Sequence, residues 1–162
     1  MNAPMVLSPE ALAKIDQAVA KYAADQKQSA VMAALTIAQD EQGWLSTATM
    51  DFVARYLGMP PIAVYEVASF YTMYDLQPVG KCKLAICTNL PCALQGAAVA
   101  AEHLKKKLHI GFGETTADGA FTLREAECLG ACGDAPVLLV NNKRMVCAMT
   151  PDKLDQLIEE LR

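Results

Sequence analysis

The sequence lacks several features that would assign it to common functional classes. No apolar run approaches the ~18 residues that a bilayer-spanning helix needs, so we predict no direct membrane insertion. Residues 1–7 have neither a basic start nor a long apolar stretch, so we predict no signal peptide. With 14 Lys and Arg against 18 Asp and Glu, the net charge of −4 argues against nucleic-acid binding. The one basic cluster, residues 105–107, is predicted to be a solvated last turn of a helix.

Catalytic signatures are also missing. Gly111 and Gly113 form a lone G-x-G without the third glycine of a dinucleotide fingerprint. There is no Walker loop, no G-x-S-x-G and no C-x-x-C, so neither a hydrolase nucleophile nor a simple redox dithiol is expected. His103 and His109 are predicted to lie at the surface. The sequence therefore predicts no catalytic residues of its own.

The first half of the chain has the periodicity of helices. Ser8 and Pro9 form a helix start, and apolar residues recur at helical spacing after them. Four helices are predicted: from Ser8 with the stripe Leu12, Ile15, Val19 and Tyr22, over about 28–40, from Ser46 or Thr47 to Gly58, and from Pro60. We predict a small helical bundle within residues 1–75, where Trp44, Phe70, Tyr71 and Tyr74 pack the bundle or an interface.

The second half, residues 76–162, changes to alternating strands and helices. Strands are predicted at 81–87, 121–126, 136–140 and 144–147, the last two joined as a hairpin through Asn141 and Asn142. Helices are predicted at 93–108 and from Thr150 onward. The order β-α-β-β-β-α predicts a small α/β sandwich of the thioredoxin type. The fold class expected is thus an N-terminal helical bundle followed by a thioredoxin-like α/β domain.

Cysteines are the most informative residues. Two close pairs, Cys87-x4-Cys92 and Cys128-x3-Cys132, lie in turn-forming segments after predicted strands. Such pairs can bring four thiolates to one site, as a tetrathiolate iron–sulfur cluster or a structural zinc requires. Cys82 has the same spacing to Cys87, but five extended residues would separate the two by about 16 Å. Cys82 and Cys147 are therefore predicted to be small apolar residues in strands.

Spacing permits either metal. Zinc sites use Cys-x2–4-Cys pairs, and both gaps fall in this range. The loops favour an iron–sulfur cluster because both are longer than the tight knuckle of most zinc sites. Backbone N–H groups are the expected donors to sulfur, which would raise the reduction potential of a cluster; the candidates are Asn89, Leu90, Ala93, Gly130 and Ala131.

Several longer motifs resemble one family. They are residues 42–45 (QGWL), 56–61 (YLGMPP), 67–72 (VASFYT), 78–80 (PVG), 87–92 (CTNLPC), 113–116 (GETT), 121–123 (FTL) and 127–132 (ECLGAC). The sequence resembles the thioredoxin-like 2Fe–2S ferredoxin family over nearly its whole length, and in particular the small iron–sulfur subunits of NADH:quinone oxidoreductase, respiratory complex I. Equivalent subunits of soluble NAD-linked hydrogenases and formate dehydrogenases belong to the same family.

The resemblance implies a function as an electron carrier. Cys87 and Cys92 would hold one iron of a single 2Fe–2S cluster, and Cys128 and Cys132 the other. The implied partners are a flavin- and NADH-binding subunit, which would hold FMN and NADH, and further subunits of the peripheral arm of complex I. The N-terminal helices would clasp the flavin subunit. The implied location is cytoplasmic, on a membrane-bound complex, and a zinc-stabilised interaction module remains the alternative from a different class.

Overall fold

A computed structural model of the protein describes residues 7–162; residues 1–6, where no signal peptide was predicted, lie outside the described residues. The described chain forms two compact units, one ending at Pro78 and the other spanning Val79–Arg162. The helices are α1 (Pro9–Val19), α2 (Val31–Gln42), α3 (Thr47–Leu57), α4 (Pro61–Phe70), α5 (Leu90–Leu94), α6 (Ala97–Leu108) and α7 (Pro151–Leu161). The strands are β1 (Cys82–Cys87), β2 (Phe121–Ala126), β3 (Leu138–Val140) and β4 (Arg144–Val146).

All four helices predicted for the first unit are present, although α1 ends before Tyr22 and α2 begins at Val31, after a 3-10 turn over Lys27–Ala30. Ser8 caps α1 by accepting from the Ala11 N–H, and Ser46 caps α3 by accepting from the Thr49 N–H. Gly43 and Gly58 end α2 and α3 in the left-handed conformation that glycine adopts without strain. The start and end signals therefore come from local backbone chemistry.

One aromatic residue of the first unit differs from the prediction, and another packs the bundle as predicted. Tyr22 lies beyond the end of α1 and is exposed, because the helix stops at Val19 instead of continuing through another turn. Tyr74 is buried in the apolar core, and its hydroxyl donates to the Met32 carbonyl at 2.9 Å. Phe70, by contrast, is 78% exposed.

The second unit is a four-stranded sheet in the order β2-β1-β3-β4. β1 and β2 are parallel, with Cys87 opposite Ala126, and the β3–β4 hairpin is antiparallel, as predicted. Gly80 lies two residues before β1, and a Cβ atom on it would be 2.9 Å from the Gly119 carbonyl oxygen. Only glycine allows this close approach of backbones.

One prediction for this unit is wrong in detail. The single helix expected over 93–108 is broken into α5 and α6, because Gly96 has φ of +92° and cannot continue a right-handed helix. Both faces of β1 are largely buried, and even Lys83 is only 5% exposed. The architecture confirms a helical N-terminal part followed by an α/β domain. Within residues 7–162 no helix combines the length and the apolar character needed to cross a bilayer.

Candidate metal centre

The end of β1 lies between two other chain segments. The Cys87 N–H donates to the Val137 carbonyl at 3.0 Å, and the Thr88 N–H donates to the Ala126 carbonyl at 3.3 Å. Cys87 is therefore fixed by its backbone on both sides of the strand. Residues 88–91, the first ligand loop, leave the sheet at this point. Residues 127–131, the second ligand loop, leave it from the neighbouring β2.

The first ligand loop delivers a buried pair of thiols. Cys87 and Cys92 are each 1% exposed and share a small apolar cluster with Ala97 and Val137. Burial raises the pKa of the Cys92 thiol, and a hydrogen bond with Cys87 raises it further. The backbone N–H of Val137 acts in the opposite direction, because a donor to sulfur stabilises the thiolate.

The second ligand loop delivers an exposed pair. Cys128 and Cys132 are exposed, with their sulfurs 3.5 Å apart. Gly130, at φ of +79°, turns the loop so that its N–H lies 3.4 Å from the Cys128 sulfur. This amide, followed by the hydrogen bond with Cys132, lowers the pKa of the Cys128 thiol. The predicted donor Gly130 thus contacts a sulfur directly.

The two pairs lie within electrostatic reach of each other. A hydrogen bond with Cys128 raises the pKa of Cys132, and the charge on Cys87, of the other pair, adds to that rise. Cys132 in turn raises the pKa of Cys92. Among residues 7–162 no three His, Cys, Asp or Glu side chains are grouped as ligands of one metal ion. The thiols are arranged as two pairs.

The remaining cysteines lie elsewhere in the unit. Cys82 is buried at the opposite end of β1 from Cys87, and its thiol donates to the Leu161 carbonyl at 3.8 Å. Cys147 was expected inside a strand, but β4 ends at Val146, so Cys147 follows the strand and is half-buried. It packs against the apolar cluster of Cys87 and Cys92.

Sequence reasoning missed three contributions to the site and misassigned one. The Val137 amide was not among the predicted donors, because it becomes a neighbour of Cys92 only when β3 pairs with β1. The Asn89 side chain donates to Glu127 at 2.7 Å and the Thr88 hydroxyl donates to Glu125 at 2.7 Å. Ala93, predicted as a donor to sulfur, instead donates to the Asn89 carbonyl.

These residues fit a binuclear iron–sulfur cluster. A 2Fe–2S cluster takes four thiolates, two on each iron, and the chain presents two cysteine pairs on neighbouring loops. Two backbone N–H groups, of Gly130 and Val137, lie at sulfurs and favour their thiolate form. Thiolates are the donors that iron–sulfur clusters require, so the donor set matches this cofactor.

Known proteins support this interpretation. The sequence profile of the thioredoxin-like 2Fe-2S ferredoxin family matches residues 15–162. An NADH-quinone oxidoreductase subunit of Rickettsia bellii is 41% identical over 152 residues, which cover 93% of this chain and 90% of that protein. The mitochondrial NADH dehydrogenase (ubiquinone) flavoprotein 2 of Dictyostelium discoideum is 40% identical over 160 residues. That match covers 96% of this chain but only 65% of the Dictyostelium protein.

A solved structure shares the fold. A chain of an NAD+-reducing NiFe hydrogenase in its hydrogen-reduced state superimposes with a TM-score of 0.68 at 23% identity. The match covers 78% of this chain and 22% of the hydrogenase chain. This structural similarity shows a shared fold alone. The family profile and the relatives near 40% identity show that the chain is homologous to them. The chain belongs to the thioredoxin-like 2Fe–2S ferredoxin family.

Proposed function

We propose that this chain is the electron-carrying iron–sulfur subunit of an NADH:quinone oxidoreductase. The observation that carries the proposal is the pairing of Cys87 with Cys92 and of Cys128 with Cys132 on adjacent strand ends. The relative from Rickettsia bellii, which matches along most of both chains, is named as a subunit of that oxidoreductase. In this proposal the chain carries electrons within the enzyme, and other subunits bind the substrates.

The four cysteines have assigned roles in this proposal. Cys87 and Cys92 hold one iron, and Cys128 and Cys132 hold the other. When bound, a 2Fe–2S cluster supplies a site that takes up and releases one electron at a time. The buried pair keeps water from one side, while the exposed pair faces the surface from which a partner can approach.

Backbone amides tune this environment. The Gly130 N–H at the Cys128 sulfur and the Val137 N–H at Cys92 stabilise negative charge on sulfur. Because reduction adds negative charge, such donors favour the reduced form and raise the reduction potential. A tenfold change in a one-electron equilibrium corresponds to about 59 mV. These two amides therefore help to determine which partner can deliver the electron.

The proposed electron donor is a flavin- and NADH-binding subunit, which would hold the FMN and the NADH. The N-terminal unit offers an apolar surface for such a partner on α4 and the residue that follows it. Ile62 is 63% exposed, Phe70 is 78% exposed and Tyr71 is 39% exposed. Exposed large apolar side chains on one element are typical of a protein–protein contact. We place the chain in the peripheral arm of the complex, on its cytoplasmic face.

Isolation of the native complex tests the proposal. With an affinity tag on this chain, we expect a flavin-containing subunit and quinone-reducing subunits to copurify, and NADH to reduce the complex under anaerobic conditions. Phe70→Ser should weaken copurification. Tyr22→Ser, which changes an exposed aromatic residue far from α4 in the sequence, should not. Copurification with hydrogenase or formate dehydrogenase subunits would assign the chain to those enzymes instead. A colourless chain with stoichiometric zinc would overturn the redox function.

A further inference from the structure

Side-chain hydrogen bonds link the two ligand loops just beyond the last backbone hydrogen bond between β1 and β2. The β1–β2 backbone ladder ends with the Thr88 N–H on the Ala126 carbonyl at 3.3 Å. One residue further along each of these two segments, the Asn89 side-chain amide donates to the Glu127 carboxylate at 2.7 Å. Glu127 is followed directly by Cys128, and Asn89 precedes Cys92 by three residues. The link therefore joins the segment before one ligand pair to the loop inside the other.

The Asn89 side chain is diverted from its usual local role. Asn89 stands at the N-cap position of α5, where asparagine normally accepts a backbone N–H through its side-chain oxygen. Here the side chain makes no capping hydrogen bond. Its amide group is turned to the other loop instead, so its local sequence role does not account for its conformation.

The Glu127 carboxylate also needs an explanation. A negative group beside the ligand Cys128 is unfavourable by itself, because thiolates and carboxylates repel each other. A hydrogen bond from the neutral Asn89 amide to the charged carboxylate offsets part of that cost, since charge-assisted bonds are stronger than neutral ones. The second bond, from Thr88 to Glu125, runs beside it at 2.7 Å.

We propose that the Asn89–Glu127 hydrogen bond is a clasp that positions the two ligand loops for one binuclear cluster. The inference rests on the proposed function, because it assigns residues that act on the cluster through the loops. Asn89 and Glu127 are positioning residues and hold no iron. Loss of the clasp lets the loops separate more often, so the cluster is released faster although all four thiols remain.

The test uses the full chain, purified anaerobically with its cluster. The rate of cluster loss to an iron chelator is followed by the decay of visible absorbance. Asn89→Ala and Glu127→Ala should each accelerate the loss about fivefold, as expected for one hydrogen bond of ordinary net strength at the surface. The double variant should also be about fivefold faster, because the second substitution removes nothing further. Glu127→Gln, whose amide oxygen still accepts, should stay within about twofold of wild type.

Two matched controls accompany these variants. Gln95→Ala removes an exposed side-chain amide three residues after Cys92, whereas Asn89→Ala removes a half-buried one three residues before it. Glu160→Ala removes a carboxylate that binds Arg144. Its neighbour Leu161 contacts Cys82, at the end of β1 opposite to the ligand loops. Both controls should lose the cluster at the wild-type rate. The spin-resonance spectrum of the reduced cluster should broaden in Asn89→Ala and remain unchanged in Gln95→Ala.

Several results would overturn the clasp. Wild-type rates in both single variants would do so, as would about 25-fold acceleration in the double variant, which would mean independent effects. A melting temperature of the cluster-free chain that falls in Asn89→Ala but not in Gln95→Ala would show a role in folding alone. A wild-type chain that holds no iron–sulfur cluster would overturn the proposed function itself, and is distinguished from the other results by its missing absorbance.

Discussion

Cys87 and Val137 are joined by a backbone hydrogen bond of 3.0 Å, from the Cys87 N–H to the Val137 carbonyl. Burial and the bond with Cys87 raise the pKa of the Cys92 thiol, and the N–H of the same Val137 opposes that rise, so one residue contacts both members of the buried pair. Val137 directly precedes β3, which pairs with β1 in the antiparallel direction. The sheet therefore positions the inner half of the site.

Substitution of single cysteines separates ligands from packing residues. Cys92→Ser or Cys128→Ser should abolish or severely change the spin-resonance signal of the reduced cluster, because each removes one thiolate from a pair. Cys82→Ser should leave the signal intact and lower the free energy of unfolding by about 1–2 kcal/mol, the cost of a buried hydroxyl. Spectra and denaturant titrations of the same preparations check both expectations.

Cys147 provides the strictest comparison for this set. It packs against the apolar cluster of Cys87 and Cys92, so it is close enough to be confused with a ligand. We expect Cys147→Ser to keep the cluster and its signal. If Cys147→Ser removes the cluster while Cys128→Ser keeps it, the choice of four ligands is wrong.

Gly80→Ala should destabilise the second unit. Its Cβ atom would lie 2.9 Å from the Gly119 oxygen and 2.9 Å from the Phe121 carbonyl carbon, both backbone atoms that cannot move aside cheaply. We expect a loss of about 1–3 kcal/mol in the free energy of unfolding, as for overpacked cores. Gly111→Ala is the control, because its Cβ atom would meet only the flexible Glu114 side chain at 3.4 Å. Equal losses in the two variants would contradict the close approach at Gly80.

Acid should weaken the first unit through Glu41. Hydrogen bonds from the Ser8 hydroxyl and the Ser8 N–H hold the pKa of Glu41 below its usual value of 4.5. A carboxyl whose pKa is lowered by folding stabilises the fold above its unfolded pKa, and this contribution is lost as the pH falls through the folded pKa. The melting temperature of wild type should therefore exceed that of Glu41→Gln at pH 7, and the difference should shrink below pH 4.5.

The control for this pH series is Glu66→Gln, which removes an exposed carboxylate on α4 of the same unit. It should leave the melting temperature close to wild type at pH 7. A difference between wild type and Glu41→Gln that stays constant from pH 7 to pH 3 would contradict the assigned role of Ser8.

Local signals in the sequence predict much of this fold. Ser46 and Gly58 bound α3 because a capping hydroxyl and a left-handed glycine act on their own neighbours in the chain. Phe121–Ala126 was predicted with its observed bounds, since its alternation and flanking turns are local features. The pairing within each cysteine motif was also expected, because short loops keep both thiols close.

Features that depend on tertiary contacts were not predicted. The hydrogen bond from Tyr74 to the Met32 carbonyl joins residues 42 positions apart in the chain. The Val137 donor and the Asn89–Glu127 bond arise only when separate strands meet at one end of the sheet. The break at Gly96 had a local signal, the glycine itself, but glycine within an alanine-rich helix does not reveal its φ angle.

Iron and sulfide analysis, together with low-temperature spin resonance of the anaerobically purified full chain, measures the composition and the unpaired electrons of the site. We predict two irons and two sulfides per chain, no spin-resonance signal from the oxidised form, and after chemical reduction a signal from one unpaired electron for each cluster. A single iron or zinc ion per chain, with no signal after reduction, would contradict it.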